Sequence, residues 1–147
     1  MKISTCCHRS FEIRDSDTAS PRLSFELSGP GEDRFFSIDT VLDSGCEYAL
    51  VIPFWLAQEL GINFPIIDKG TASTANGDTP TIESLADVRV TCFSGRTIGF
   101  YDLPISIEKS LAEPLVGVAL LKYFHIHLTS GAPVVFEFND NCLKNQH

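Results

Sequence analysis

The chain is short of several things, and each shortage narrows what it can be. Basic residues are few: 11 Lys and Arg against 19 Asp and Glu give a formal net charge of −8. Nucleic acids and anionic membranes attract basic patches, so neither is expected as a partner. No apolar run approaches the roughly 18 residues of a membrane-spanning helix. The opening Met1-Lys2-Ile3-Ser4-Thr5-Cys6-Cys7-His8-Arg9 lacks the apolar stretch of a secretory signal, and a cytoplasmic location is the expectation. The cysteines are Cys6, Cys7, Cys46, Cys92 and Cys142. Their number is odd and no C-x-x-C pair occurs, which excludes the usual zinc and thioredoxin patterns and fits reduced thiols in a cytosol. Internal repeats, low-complexity tracts and long linkers are also absent.

What is present is ordinary for a globular domain. The 147 residues are 44% hydrophobic and 20% charged, and a chain of this length buries roughly 70% of its unfolded surface. A single domain over 1–147 is expected. Residues 1–20 are polar and read as a loose arm or as a strand docked elsewhere. Residues 139–147 read as a polar tail.

The dominant period is two. Leu23-Ser24-Phe25-Glu26-Leu27 alternates as a half-buried strand does, and Ser28 to Asp33 forms a turn that pairs it with Phe35 to Leu42. Further strands are expected over Cys46–Ile52, Ile66–Thr74, Thr81–Cys92, Thr97–Ile107 and Val134–Phe138. Many short strands separated by Gly, Pro and Asn indicate an all-β barrel or sandwich. Two short helices interrupt it. One spans Pro53–Leu60, with Pro53 in the first turn and Gly61 at the C-cap, and the other spans Val118–Phe124.

Three segments carry chemistry. Asp43-Ser44-Gly45 stands between two strand-like stretches, which presents a carboxylate and a hydroxyl on a tight loop. The tripeptide alone is weak evidence. In the segment Gly70 to Ile82, Asn76-Gly77 is a strong hairpin signal because both residues accept positive φ. Its flanks are small and polar, and Pro80 cannot donate to a ladder, so the hairpin is an edge or projecting one. A mobile lid and a plain surface hairpin both fit. Leu115-Val116-Gly117 reads as a buried strand end where backbones approach closely, or as a helix cap.

In this order and spacing, over roughly residues 21 to 138, the three segments resemble the retropepsin-like aspartic proteases. Asp43-Ser44-Gly45-Cys46-Glu47 is similar to the family's Asp-Thr/Ser-Gly-Ala-x loop, with cysteine in place of alanine. Thr71 to Gly77 looks like the first arm and tip of its flap. Leu115-Val116-Gly117 resembles the element beneath its active-site loop. Val118-Ala119-Leu120-Leu121, followed by Phe124 to Leu128, is like the pattern of bacterial members.

The resemblance implies a closed β-barrel with a flap hairpin and one or two short helices. It implies an aspartic endopeptidase acting on a peptide or protein, with Asp43 catalytic and Ser44, Gly45 and Gly117 supporting the site. Glu47 and the flap residues Ala75, Asn76, Gly77 and Asp78 would face substrate. Neither cofactor nor metal is called for. The chain carries one Asp-Ser/Thr-Gly, so the second carboxylate would come from a second copy in a symmetric homodimer. Two departures bear on this: the terminal segments are poor in apolar residues, and the flap lacks a run of glycines.

Other residues read more plainly. Cys46 is a small buried residue under the loop. His125 and His127 share one strand face, an exposed polar one, since a metal pair lacks a third ligand nearby in sequence. Trp55 is expected in the core. Two other functions stand beside the protease: a catalytically inactive module that holds a peptide in the same groove or dimerises, and an unrelated β-barrel in which Asp43-Ser44-Gly45 is merely a turn.

Overall fold

Alternation along the strands decides which face turns inward. In the computed structural model, which describes residues 8–11, 22–75, 77–91, 97–127 and 134–138, the elements run in this order. They are β1 (His8–Phe11), β2 (Arg22–Ser28), β3 (Phe36–Leu42), β4 (Leu50–Pro53), α1 (Phe54–Leu60), β5 (Asp68–Thr74), β6 (Gly77–Thr91), β7 (Thr97–Glu108), β8 (Leu115–Val116), α2 (Val118–Leu121), β9 (Phe124–His127) and β10 (Val134–Phe138). On β2, Leu23, Phe25 and Leu27 are buried while Ser24 and Glu26 turn outward. On β3, Ile38 and Thr40 face in, and the buried Thr40 hydroxyl donates to the Leu23 carbonyl at 2.7 Å.

The main sheet has strand order β2-β3-β8-β4-β7-β6-β5, and β2 also pairs with β6. That extra pairing, Glu26 to Ser28 against Asp87 to Arg89, closes six strands into a ring and leaves β5 outside it. The fold is therefore mostly β, as expected, with a ring of strands and two short helices. Leu27, Leu50, Ile52, Val88, Ile105, Val116 and Leu120 fill the ring and are fully buried. Each such side chain stabilises the fold by about 1.5–3 kcal/mol. A second sheet, ordered β1-β10-β9, attaches through Phe124 and Phe136, whose rings meet edge to face at 6.2 Å.

Several expectations shift. The stretch after Asp43 extends as a strand only from Leu50 to Pro53, because the backbone of Cys46 to Ala49 bonds to β7 and to the β8–α2 junction instead. The second helix stops at Leu121, and Phe124 already belongs to β9. Gly61 caps α1 in the left-handed region at φ 66°, as expected, while Pro53 sits at the N-cap instead of in the first turn. Trp55 is 49% exposed and not in the core. The helix turns Phe54, Leu56, Ala57 and Leu60 to the ring, and at this short length no inward position is left for residue 55. Part of the N-terminal arm, His8 to Phe11, is a strand. Asn76, Cys6, Cys7, Cys92, Cys142 and the tail 139–147 lie outside the described residues. Among the described residues no helix is long and apolar enough to cross a membrane.

Candidate active site

Two strands that flank a loop usually pair with each other. Here β3 and β4 do not, because β8 lies between them, parallel to β3 and antiparallel to β4. Val116 stands opposite Leu42 on one side and Leu50 on the other. The connection over residues 43–49 must therefore arch across the end of β8, and this arch carries Asp43.

The arch is fastened by backbone hydrogen bonds. The Asp43 N–H donates to the Val116 carbonyl at 2.9 Å, and the Gly117 N–H donates to the Ala49 carbonyl at 2.9 Å. The Val118 N–H donates to the Cys46 carbonyl at 2.8 Å, and the Ala49 N–H donates to the Pro104 carbonyl at 2.8 Å. Gly117 is required by space. A methyl group there would lie 2.2 Å from the Tyr48 carbonyl oxygen and 2.7 Å from that of Cys46, closer than any real contact. The expectation of a close backbone approach at Leu115-Val116-Gly117 holds, and the φ of −118° shows that conformation is not the reason.

Within the arch, Asp43 forms a small turn of its own. The Gly45 N–H donates to Asp43 Oδ1 at 2.9 Å, and the Cys46 N–H donates to the Asp43 carbonyl at 3.2 Å. This fixes one carboxylate oxygen. Asp43 is half-buried, while Ser44, Gly45 and Glu47 are exposed. Cys46 is half-buried rather than buried, and its thiol pKa is pushed up, first by burial, with Asp43, Glu108 and Glu47 adding to the effect. Glu108, on β7, is raised by burial as well.

Two residues of this neighbourhood were not singled out in the sequence. The Tyr48 hydroxyl donates to Glu83 Oε1 at 2.5 Å, which together with burial pushes the phenol up to about 12. Glu83 lies on β6 at the root of the β5–β6 hairpin, where its carbonyl accepts from the Ile67 N–H. The bond ties the Asp43 arch to that root. No local signal in the sequence marks the pair, because β6 carries several other polar residues and the two partners are 35 residues apart.

The hairpin itself projects. From Gly77 to Pro80, β6 pairs with β5 alone, since β7 joins only at Thr81. Pro80 thus needs no donor on its free side. Ala75, Gly77 and Asp78 are exposed at the tip. Gly77 adopts φ 106°, and Ser73 Oγ donates to Asp78 Oδ1 at 3.2 Å. Elsewhere, two surface cavities flank α1. One of about 560 Å³ is lined by Phe54, Ile62, Phe64, Ile66, Ile82 and Ile107. One of about 440 Å³ is bordered by Trp55, Arg22, Asp39 and Glu113, with Arg22 paired to both carboxylates. Asp43 lines neither.

The chain is similar to a retropepsin-like aspartic protease from Rickettsia conorii, with a TM-score of 0.59 over 86% of this chain and 97% of that one. The fold is retropepsin-like. Sequence identity is 17%, so the likeness rests on architecture. No protein-family model matches the chain, and no curated protein matches it in sequence.

Proposed function

We propose that the chain is an aspartic endopeptidase that acts as a homodimer, with Asp43 of each copy forming the catalytic pair. The observation that supports this most is the mounting of Asp43. A carboxylate with one oxygen fixed by the Gly45 N–H stands on an arch clamped at both ends to β8, within a retropepsin-like fold. Ser44 and Gly45, exposed beside it, leave room for a second arch to approach across a two-fold axis.

Two carboxylates brought together share one proton, so one serves as base and the other as acid. The ionised Asp43 takes a proton from a water held between the pair, and that water attacks the peptide carbonyl. The protonated Asp43 of the second copy gives its proton to the carbonyl oxygen. On collapse of the tetrahedral intermediate, a proton passes to the leaving nitrogen and the C–N bond breaks. The pair titrates as a unit. Ser44 positions the carboxylates, and Gly45 exposes backbone toward the peptide. The hairpin carrying Ala75, Asn76, Gly77 and Asp78 closes over the peptide and excludes water. Glu47 faces the substrate backbone. The reading places the enzyme in a reducing cytosol, where Cys46 stays a thiol.

The test is cleavage of an unfolded protein by the purified chain. Asp43→Asn should abolish cleavage and leave thermal stability unchanged. Cleavage that survives this substitution overturns the proposal. Absence of cleavage in the unsubstituted chain, together with peptide binding that Asp43→Asn leaves intact, would favour the non-catalytic module.

A further inference from the structure

Strand register divides the β6–β7 ladder into two faces. Ile82 pairs with Ile107, and both line the apolar cavity beside α1. Glu83 pairs with Ser106, and Glu108 stands two positions further along β7, opposite Thr81. Glu83 and Glu108 therefore share the other face, as diagonal neighbours about 7–8 Å apart. The Tyr48 hydroxyl reaches this face from the arch to bond Glu83 Oε1. Glu47, next to Tyr48 on the arch, is exposed. The electrostatics agree with this grouping. The Tyr48 phenol, raised first by its bond to Glu83 and by burial, is raised further by Glu47. The Cys46 thiol, raised first by burial, also feels Asp43, Glu108 and Glu47. Three carboxylates thus gather about a half-buried phenol ring on the same arch as Asp43.

These carboxylates lack a cation. Among the described residues, Arg22 pairs with Asp39 and Glu113, and Arg89 pairs with Glu26, but no lysine or arginine pairs with Glu47, Glu83 or Glu108. Lys69 stands opposite Ile82 and belongs to the cavity face. Burial already raises Glu108, so its charge is held at a cost that a cation would relieve. No metal-holding cluster is found among the described residues, so the complement is an organic cation. A lysine or arginine side chain fits both parts, with its apolar stem on the Tyr48 ring and its charged head among the carboxylates. We propose that Tyr48, Glu47, Glu83 and Glu108 form a subsite for a lysine or arginine side chain of the bound peptide. Resting on the proteolytic reading, this gives the enzyme a substrate class: peptides with a basic residue near the scissile bond. The net charge of −8 draws such peptides toward the chain as a whole.

The test is cleavage of a random peptide library, with the cut sites read by mass spectrometry. Lys and Arg should be enriched near the cut bonds. One cleaved peptide is then remade with norleucine, an uncharged chain of similar length, in place of its basic residue. The basic peptide should have a kcat/KM about 10-fold higher, carried mostly by KM. Glu83→Gln and Glu108→Gln should each shrink that ratio at least about 3-fold. Glutamine at position 83 can still accept from Tyr48, and a ratio between two peptides cancels any general loss of activity. Cleavage that depends on Asp43 but shows no basic preference, or a ratio unmoved in either variant, overturns the subsite and leaves the proteolytic reading standing. If the unsubstituted chain cleaves nothing, that reading fails, and the subsite is judged on binding by fluorescence anisotropy. A labelled oligoalanine peptide with one central lysine should then bind about 10-fold more tightly than its norleucine counterpart, and equal binding or none overturns the subsite.

Discussion

The Asp43 arch and the β5–β6 hairpin are both connections between strands, yet they are built in opposite ways. The arch bonds to β7, to β8 and to the start of α2, and it presses on a glycine with no space for a methyl group. Toward the tip of the hairpin the ladder is that of β5 with β6, and Ala75, Gly77 and Asp78 are exposed. In the proteolytic reading the difference has a purpose. A carboxylate that must meet a partner within hydrogen-bonding distance needs a fixed mounting, whereas a cover that admits and releases a peptide needs a free one.

Each region depends on a glycine that exposes the contrast. Gly117→Ala should be the most damaging of these changes, at least about 3 kcal/mol, because the added carbon meets backbone that cannot give way. Denaturant unfolding checks this, and loss of any remaining cleavage should accompany it. Gly77→Ala meets no atom within 4 Å and suffers only from its φ of 106°. It should cost about 1–2 kcal/mol and lower cleavage without a comparable fall in thermal midpoint. Equal effects at the two positions would erase the distinction.

The Tyr48–Glu83 bond joins the two regions, so removing it tests how far they are coupled. Tyr48→Phe should cost about 1 kcal/mol. The phenol pKa is raised in the fold, so its contribution is complete below the ordinary value of 10 and is lost as pH rises toward about 12. The unsubstituted chain should therefore lose stability across that interval, and the variant should lose less. The smallest effect is expected at Glu108. Burial raises its pKa, so the charged form present at pH 7 is a cost, and its contribution is complete only at lower pH. Glu108→Gln should stabilise the fold at pH 7 by about 0.5 kcal/mol or less, since solvent reaches the group, and the gain should vanish near pH 4.

What was legible in the sequence was local. Asp43-Ser44-Gly45, the hairpin around Gly77 and the cap at Gly61 are signals carried by adjacent residues, and the close approach at Gly117 follows from its apolar neighbours. What could not be read was set by distant partners. Cys46 to Ala49 have the composition of a strand but bond to Pro104 and to the Gly117–Val118 segment. Trp55 looks like a core residue, and only the docking of α1 shows that it faces outward beside Arg22 and Glu113. The Tyr48–Glu83 bond spans 35 residues.

The central claim is that each chain carries half of an acid–base pair. The most direct test mixes the unsubstituted chain with a growing excess of Asp43→Asn at constant total concentration and follows peptide cleavage. If two copies complete one site, activity should fall as the square of the unsubstituted fraction, and specific activity should drop on dilution. Activity that falls only in proportion to that fraction, with specific activity independent of concentration, would contradict the account.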